Sequence, residues 1–464
     1  MLGGIATLLF LWKGESMSII FKKNNLHLRM KDGNYTNINT IGVATDKMDK
    51  ENPAGTGSFS MNRNKESTIG EYSSAIGYNT SASGESSFAE GNYTQSTGNY
   101  SHSEGNNCTA SGIAAHSEGS NSTASGVFSH AENMSRATGD YSHAEGRSLA
   151  SDEYAHAEGG SEATKPYAHA EGISYARGMY SHSEGGNGTL ASGSYSHAEG
   201  LCTIASGDNG CHAEGNQTRA EQCGAHSEGR GTYAKGEYSH SEGSGCEAVG
   251  TASHAEGYYS KANGVGSHSE GYYTTTTDLA LYSHAEGQNT TASASNAHAE
   301  GDHTTASGNS SHAEGYYTTS SGMYSHSEGM NSAASGSYSH AEGYYTTASG
   351  SMQHVSGKFN VSDDNNTYSC IVGGGSSDSD RKNIYTLDWN GNAVFSGDVT
   401  ATKSDGTTVS LLGGCIPSSG NLILPGDLFI TASNGNTYSI EEIVEMVILL
   451  SGSEEVNTAL HDEY

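Results

Sequence analysis

The chain has 464 residues, with 63 Gly, only 4 Pro, 33% hydrophobic residues and a formal net charge of −31 from 21 basic and 52 acidic side chains. Several ordinary globular cores are excluded, because Leu, Ile, Val and Phe are too sparse to fill them, and at 16% charged residues the chain is not a charge-driven disordered polymer either. A nucleic-acid partner is excluded as well, since phosphate binding needs clustered cations.

Residues 5–12 form an apolar run too short to span a bilayer, with no basic residue before it and no clean cleavage site after it. Met17 opens Met-Ser-Ile-Ile-Phe-Lys-Lys, so residues 1–16 read as an upstream translation artefact. Residues 17–66 carry Lys22, Lys23, Arg29, Lys31, Lys47 and Lys50 and lack regular glycines. They read as an attachment segment, one end of a fibre having to dock to something else.

Self-similarity then decides the fold. His-Ala-Glu-Gly or His-Ser-Glu-Gly recurs eighteen times from His102 to His340, one copy ending in Asn133, with a spacing that is mostly 14. Phe88-Ala-Glu-Gly precedes the first copy and His354-Val-Ser-Gly follows the last, like degenerate caps. Inside each fourteen lies a seven, marked by Gly70, Gly77, Gly84, Gly91, Gly98, Gly105, Gly112, Gly119 and Gly126. Seven residues suit about four extended residues and a Gly-led bend where positive φ is cheap. The density of Gly, Ser, Thr and Asn argues against helix. The prediction is an all-β protein, a parallel β-solenoid over residues 67–356 with about 20 coils, forming a rod roughly 95–100 Å long. Ser, Ala and Thr bury too little apolar area to offset the cost of ordering the backbone, so the rod is expected to be a homotrimer.

His and Glu of each repeat are two apart and so share a strand face, and stacked coils place His over His and Glu over Glu. Like charges in a column are costly, so shared protons or His-to-Glu hydrogen bonds must compensate. The preferred reading is a structural polar ladder with pH sensitivity; charging all 22 His takes the formal charge from −31 to −9. No metal or other cofactor is assigned. The sharper alternative is a metal column, with His102, Glu104, His116, Glu118, His240, Glu242, His326 and Glu328 among its ligands. Eighteen near-identical copies argue against a hydrolase, which needs one distinctive pocket. The Thr pairs (Thr304-Thr305, Thr318-Thr319, Thr346-Thr347) suggest a flat ice-binding array, but the Tyr pairs beside them and uneven coil lengths spoil that lattice. The pairs Tyr258-Tyr259, Tyr272-Tyr273, Tyr316-Tyr317 and Tyr344-Tyr345 are candidate receptor or glycan contacts. The plainer reading is that they cover neighbouring chains. Seven Cys, none in a Cys-x-x-Cys pair, read as small substitutions without redox work.

Ser73-Ser74-Ala75-Ile76-Gly77 resembles the Ser-x-Ala-x-Gly theme of the trimeric autotransporter adhesin head repeat (Hep/Hag or YadA-like head). Over residues 67–356 that resemblance implies a left-handed parallel β-roll and a homotrimeric, adhesive, non-enzymatic role. The motif's bulky apolar positions, matched by Ser74 and Ile76, become His and Glu in later copies, so no apolar interior is implied there. His354-Val-Ser-Gly-Lys-Phe-Asn, Ile371-Val-Gly-Gly-Gly and Leu387-Asp-Trp-Asn-Gly resemble the segment that follows such repeats in phage and prophage tail-fibre proteins. Residues 357–414 are therefore expected to form a β-rich connector. Residues 415–464 are expected to hold a hairpin around Asn434-Gly435 and a short helix opened by the capping box Ser439-Ile-Glu-Glu442.

Neither an export signal nor alternating membrane strands over residues 401–464 is evident, which disfavours membrane insertion. The expectation is a fibre of a phage or prophage tail appendage, assembled in the host cytoplasm. It would contact other tail or baseplate proteins and a host surface glycan or protein, with a bacterial cell-surface adhesin as the alternative. No catalytic residue is assigned; Asp378, Asp380 and Asp388 are the carboxylates a glycan-cleaving enzyme would draw on.

Overall fold

The computed structural model describes residues 58–61 and 68–397, together with the strands Thr7–Trp12, Glu15–Lys22, Asn25–Arg29, Tyr35–Asn37, Thr400–Thr402, Thr408–Ser410, Phe429–Thr431 and Thr437–Ser439. All regular structure among these residues is β, and no helix among them is long and apolar enough to cross a membrane. The chain divides into two compact units, Met1–Ser293 and Ala294–Tyr464.

The first unit opens with a four-stranded antiparallel sheet in chain order, Thr7–Trp12 to Tyr35–Asn37. Met17 lies inside the strand Glu15–Lys22 and pairs with Phe10. Phe59–Met61 then pairs in parallel with Ser74–Ile76, so the parallel ladder already starts before residue 67. From there a long strand (Phe88–Asn92, His102–Asn106, His116–Glu118) alternates with a two-residue strand (Gln95–Ser96, Thr109–Ala110, Thr123–Ala124). Each strand pairs in parallel with the equivalent strand one rung on, His102 with His116 and Thr109 with Thr123. This is the expected β-solenoid of 14-residue rungs. Thirteen-residue steps keep the register, as His143 pairs with His156, and the longer step from His182 to His197 is absorbed within the strand His182–Ala191.

The interior consists of small side chains in columns. In the rung of His116 the inward residues are Ala115, Ser117, Ser122 and Ala124, all at most 1% exposed. A buried methyl contributes about 1 kcal/mol or less, while ordering each residue costs about 1–2 kcal/mol, so a rung holds only through its neighbours. Rung-to-rung hydrogen bonds such as His102 N to Ala115 O (2.8 Å) and Thr109 N to Ser122 O (2.9 Å) supply that link. Cys108, Cys211 and Cys246 fill inward positions that Ser or Thr fill elsewhere, and burial pushes the Cys211 thiol up to about 12, consistent with packing rather than reactivity.

The bends correct one expectation. The glycine that follows the Glu does take positive φ, +114° at Gly91 and +101° at Gly105. The second glycine of each rung does not. Gly98 is required there by close approach, since a Cβ would run into the carbonyl oxygen of Gly112. The left-handed position of this turn falls two residues later on a side-chain-bearing residue, Tyr100 (φ 63°), Phe128 (57°) or Tyr141 (59°). The turn is closed by the next serine, Ser101 Oγ donating to Gly98 O at 2.7 Å.

The second unit repeats this pattern from His298–Asp302 to His354–Lys358. Its inward residues enlarge at the end, from Ala334, Ala341 and Ala348 to Val355 and Ile371. Tyr368–Gly374 still pairs in parallel with His354–Lys358, but Asn383–Asp388 and Ala393–Phe395 follow it antiparallel, ending the parallel ladder. Phe429–Thr431 pairs antiparallel with Thr437–Ser439. The expected helix after Ser439, and Cys415, lie outside the described residues.

Candidate functional site

The feature that recurs in every rung is the outward face of the long strand. Ser103 points inward and is fully buried, so His102 and Glu104 must point outward, and both are half-exposed. Ser74 and Ile76 share this register with Phe88 and Glu90, so the bulky positions of the family motif are outward positions and the interior is the Ala75 column.

Because each His pairs with the His of the next rung whatever the length of the step, the imidazoles stack like coins. His102 and His116 have centroids 4.7 Å apart and planes 3° from parallel, and His254 and His268 4.7 Å and 1°. Phe88 caps this stack at 5.0 Å from His102. In the second unit the stack runs from His298 through His312, His326 and His340 to His354, with spacings of 4.6–4.9 Å. Burial, and then the neighbouring imidazoles, hold His116, His143, His240 and His326 below the ordinary histidine range. These imidazoles are therefore neutral at pH 7.

Each Nε2 faces the carboxylate column. His116 Nε2 lies 3.7 Å from Glu104 and 3.8 Å from Glu118, and His254 Nε2 lies 3.1 Å from Glu242 and 3.9 Å from Glu256. His326 Nε2 is 3.8 Å from Glu314, one rung back. Thus the candidate residues His102, Glu104, His116 and Glu118 form one contiguous cluster, while His240 with Glu242 and His326 with Glu328 occupy other rungs of the same face.

The carboxylates solve their repulsion by alternation. Contact with neighbouring carboxyls pushes Glu228 up, Glu242 down, Glu256 up to about 7 and Glu270 down; Glu314 is likewise raised to about 7 and Glu328 lowered. The direction of the shift thus alternates from one rung to the next. Beside this column runs an open groove of about 600 Å³ lined by Glu300, Glu314, Glu328 and Glu342 and by the glycines that follow them.

The opposite, short-strand face has no such constancy. Its outward positions read Arg136, Leu149, Glu162, Tyr175, Leu190, Ile204, Arg219, Tyr233, Glu247 and Lys261 in successive rungs. Local pairs such as Lys235 with Glu247 (3.0 Å) decorate it.

The candidate tyrosines form two tiers at the bend. Tyr258 stacks on Tyr272 (5.2 Å, 4°) and Tyr259 on Tyr273 (5.3 Å, 9°), while the two tiers meet edge to face. Tyr316 and Tyr317, and Tyr344 and Tyr345, are likewise edge to face, and Tyr345 stacks on Phe359. Stacking occupies ring faces, yet Tyr258, Tyr259, Tyr272 and Tyr273 remain exposed. A second exposed column was not anticipated: Phe128, Tyr141, Tyr154, Tyr167, Tyr180 and Tyr195 stack at 4.6–5.2 Å. The recurring Tyr-x-His, as in Tyr141 and His143, is the sequence signal for it.

The three connector aspartates do not converge on a cleft. Asp378 binds Arg381 (2.6 Å), Asp380 accepts from Ser376 Oγ (2.5 Å), and Asp388 accepts from the backbone of Asn390 and Asn392.

Two stretches of the chain, residues 69–94 and 299–325, match the YadA head domain repeat. The chain therefore carries YadA-like head repeats, a structural and adhesin-like kind of repeat, one stretch in each compact unit. No curated protein matches the chain.

Proposed function

We propose that the chain is a homotrimeric fibre protein of a phage or prophage tail appendage, with the repeat region as its shaft. Residues 17–66 would attach it to other tail or baseplate proteins, and the fibre would bind a host surface glycan or protein. The observation that carries self-association is the contrast between the two strand faces: the His-x-Glu face is unchanged over eighteen rungs, while the short-strand face ranges over Thr, Arg, Leu, Glu, Tyr, Ile and Lys. A strictly periodic face fits a strictly periodic partner, and another copy in register is such a partner. The thin Ala and Ser interior needs that extra burial.

Light scattering on the full chain tests this directly. The expected mass is three times 48.2 kDa; a monomer at micromolar concentration refutes the trimer.

A bacterial cell-surface adhesin is the second reading, favoured by the match to the YadA head repeat itself. Immunogold labelling separates the two. Label on purified tail particles from an induced lysate supports the appendage, and label on intact uninduced cells supports the adhesin.

A further inference from the structure

The His-x-Glu face leaves a polar atom unused in rung after rung. Nε2 of His116, His130, His268, His312 and His326 is buried and makes no hydrogen bond. Three of these atoms, those of His116, His268 and His312, are flanked by two carboxylates at distances that are too long for a hydrogen bond. From His268 Nε2, Glu256 lies at 3.7 Å and Glu270 at 3.6 Å; from His116 Nε2, Glu104 lies at 3.7 Å and Glu118 at 3.8 Å. Two coordination bonds of about 2.0–2.2 Å meeting at one ion hold their ligand atoms at most about 4.2 Å apart, and these separations fall inside that limit.

We infer that the His-x-Glu column binds divalent first-row transition ions, each held by the Glu of one rung and the His and Glu of the next. Glu104, His116 and Glu118 form one such set, and Glu256, His268 and Glu270 another. An imidazole nitrogen with carboxylate oxygens suits zinc, cobalt or nickel, whereas calcium and magnesium take oxygen shells. Two imidazoles do not share an ion: rings 4.7 Å apart and nearly parallel keep their Nε2 lone pairs parallel rather than convergent. Each rung supplies one carboxylate, so one dication per two rungs balances the charge, and ions in adjacent rungs would stand only one rung spacing apart. Filling every second rung gives several ions per chain. Glu104 and Glu118, both about one third exposed, line an open groove that gives an ion its way in.

The test uses the full chain without a histidine tag, stripped with chelator, loaded with cobalt chloride and desalted. The expected result is more than one cobalt per chain by elemental analysis, with visible bands stronger than those of aqueous cobalt. The variant Glu228→Gln/Glu242→Gln/Glu256→Gln should lose part of this cobalt. A control, Glu162→Gln/Glu221→Gln/Glu247→Gln, removes the same charge from the short-strand side and should keep all of it. Less than one cobalt per chain, an aqueous spectrum, or equal losses in the two variants overturns the inference. The wild-type spectrum alone decides it should the first variant not fold. Because the readout is cobalt on one protein, its failure leaves the fibre reading standing.

Discussion

Asn360 closes the last short strand of the solenoid by standing in for a backbone. Its Oδ1 accepts from Thr347 N at 2.7 Å and its Nδ2 donates to Thr347 O at 2.9 Å, where every earlier rung has the next strand to pair with. An open parallel edge invites pairing with other chains, and one fully buried amide removes that edge. Asn360→Ala leaves both groups unpaired, so stability should fall by about 1–3 kcal/mol. Hydrogen exchange at Thr347 and Ala348 should accelerate. Unchanged protection there would show that the cap lies elsewhere.

Gly336 is glycine for want of space. A Cβ on it would run into the carbonyl oxygen of Gly350 in the next rung, and a backbone oxygen fixed in a ladder has nowhere to go. Gly336→Ala should therefore cost stability at the upper end of about 1–3 kcal/mol. Ser335→Ala, one residue away and exposed, should stay within about 0.5 kcal/mol of wild type. Thermal melts of both variants check the contrast; equal melting temperatures would mean that the rungs can separate locally.

The architecture was legible in the sequence because glycine spacing writes the rung length directly, and a strand's period of two then puts His102 and Glu104 on one face. That stacked carboxyls would perturb one another was legible too, from like charges in register. What spacing did not reveal is where the left-handed turns fall. Gly98 draws attention as the permissive residue, yet the strained position is Tyr100, and Gly98 is held by a contact fourteen residues away. The cap was equally hidden, since Asn360 is one Asn among many until the edge at Thr347 is seen. The parallel ladder also outruns the motif at both ends, at Phe59–Met61 and Tyr368–Gly374, where backbone pairing persists without His-x-Glu-Gly.

Tyr167 sets two local effects against each other. It sits at φ 58°, where a side chain costs roughly 1–2 kcal/mol, and it stacks on Tyr154 at 4.8 Å and Tyr180 at 4.6 Å, worth about 0.5–1.5 kcal/mol. Tyr167→Gly removes both and should be near neutral. Tyr167→Ala removes the stacking and keeps the strain, so it should be less stable than the Gly variant by about 1 kcal/mol. Chemical denaturation of the two variants measures the difference, and an Ala variant as stable as the Gly variant would refute the strain.

Acid should weaken the solenoid, and the sign follows from the direction of each shift. Burial and stacking hold His116, His130, His143, His156, His169, His212, His226, His240 and His312 below the unfolded value near 6.5. Below about pH 6.5 the unfolded chain therefore binds more protons than the folded one, and stability falls as pH falls. Glu256 and Glu314, raised to about 7, act the other way: they stabilise the fold at pH 5–6, and that contribution is lost as pH rises through 7. Glu242, Glu270 and Glu328, lowered, lose their contribution only as pH drops below about 4.5. The histidines outnumber the three raised glutamates, Glu228, Glu256 and Glu314, so the net slope between pH 7.5 and 5 follows them. In metal-free buffer the melting temperature should decline steadily over that interval. The triple variant His212→Gln/His226→Gln/His240→Gln should show a shallower decline. A melting temperature that stays level or climbs on acidification in the wild type would mean that the imidazoles gain, rather than lose, proton affinity on stacking.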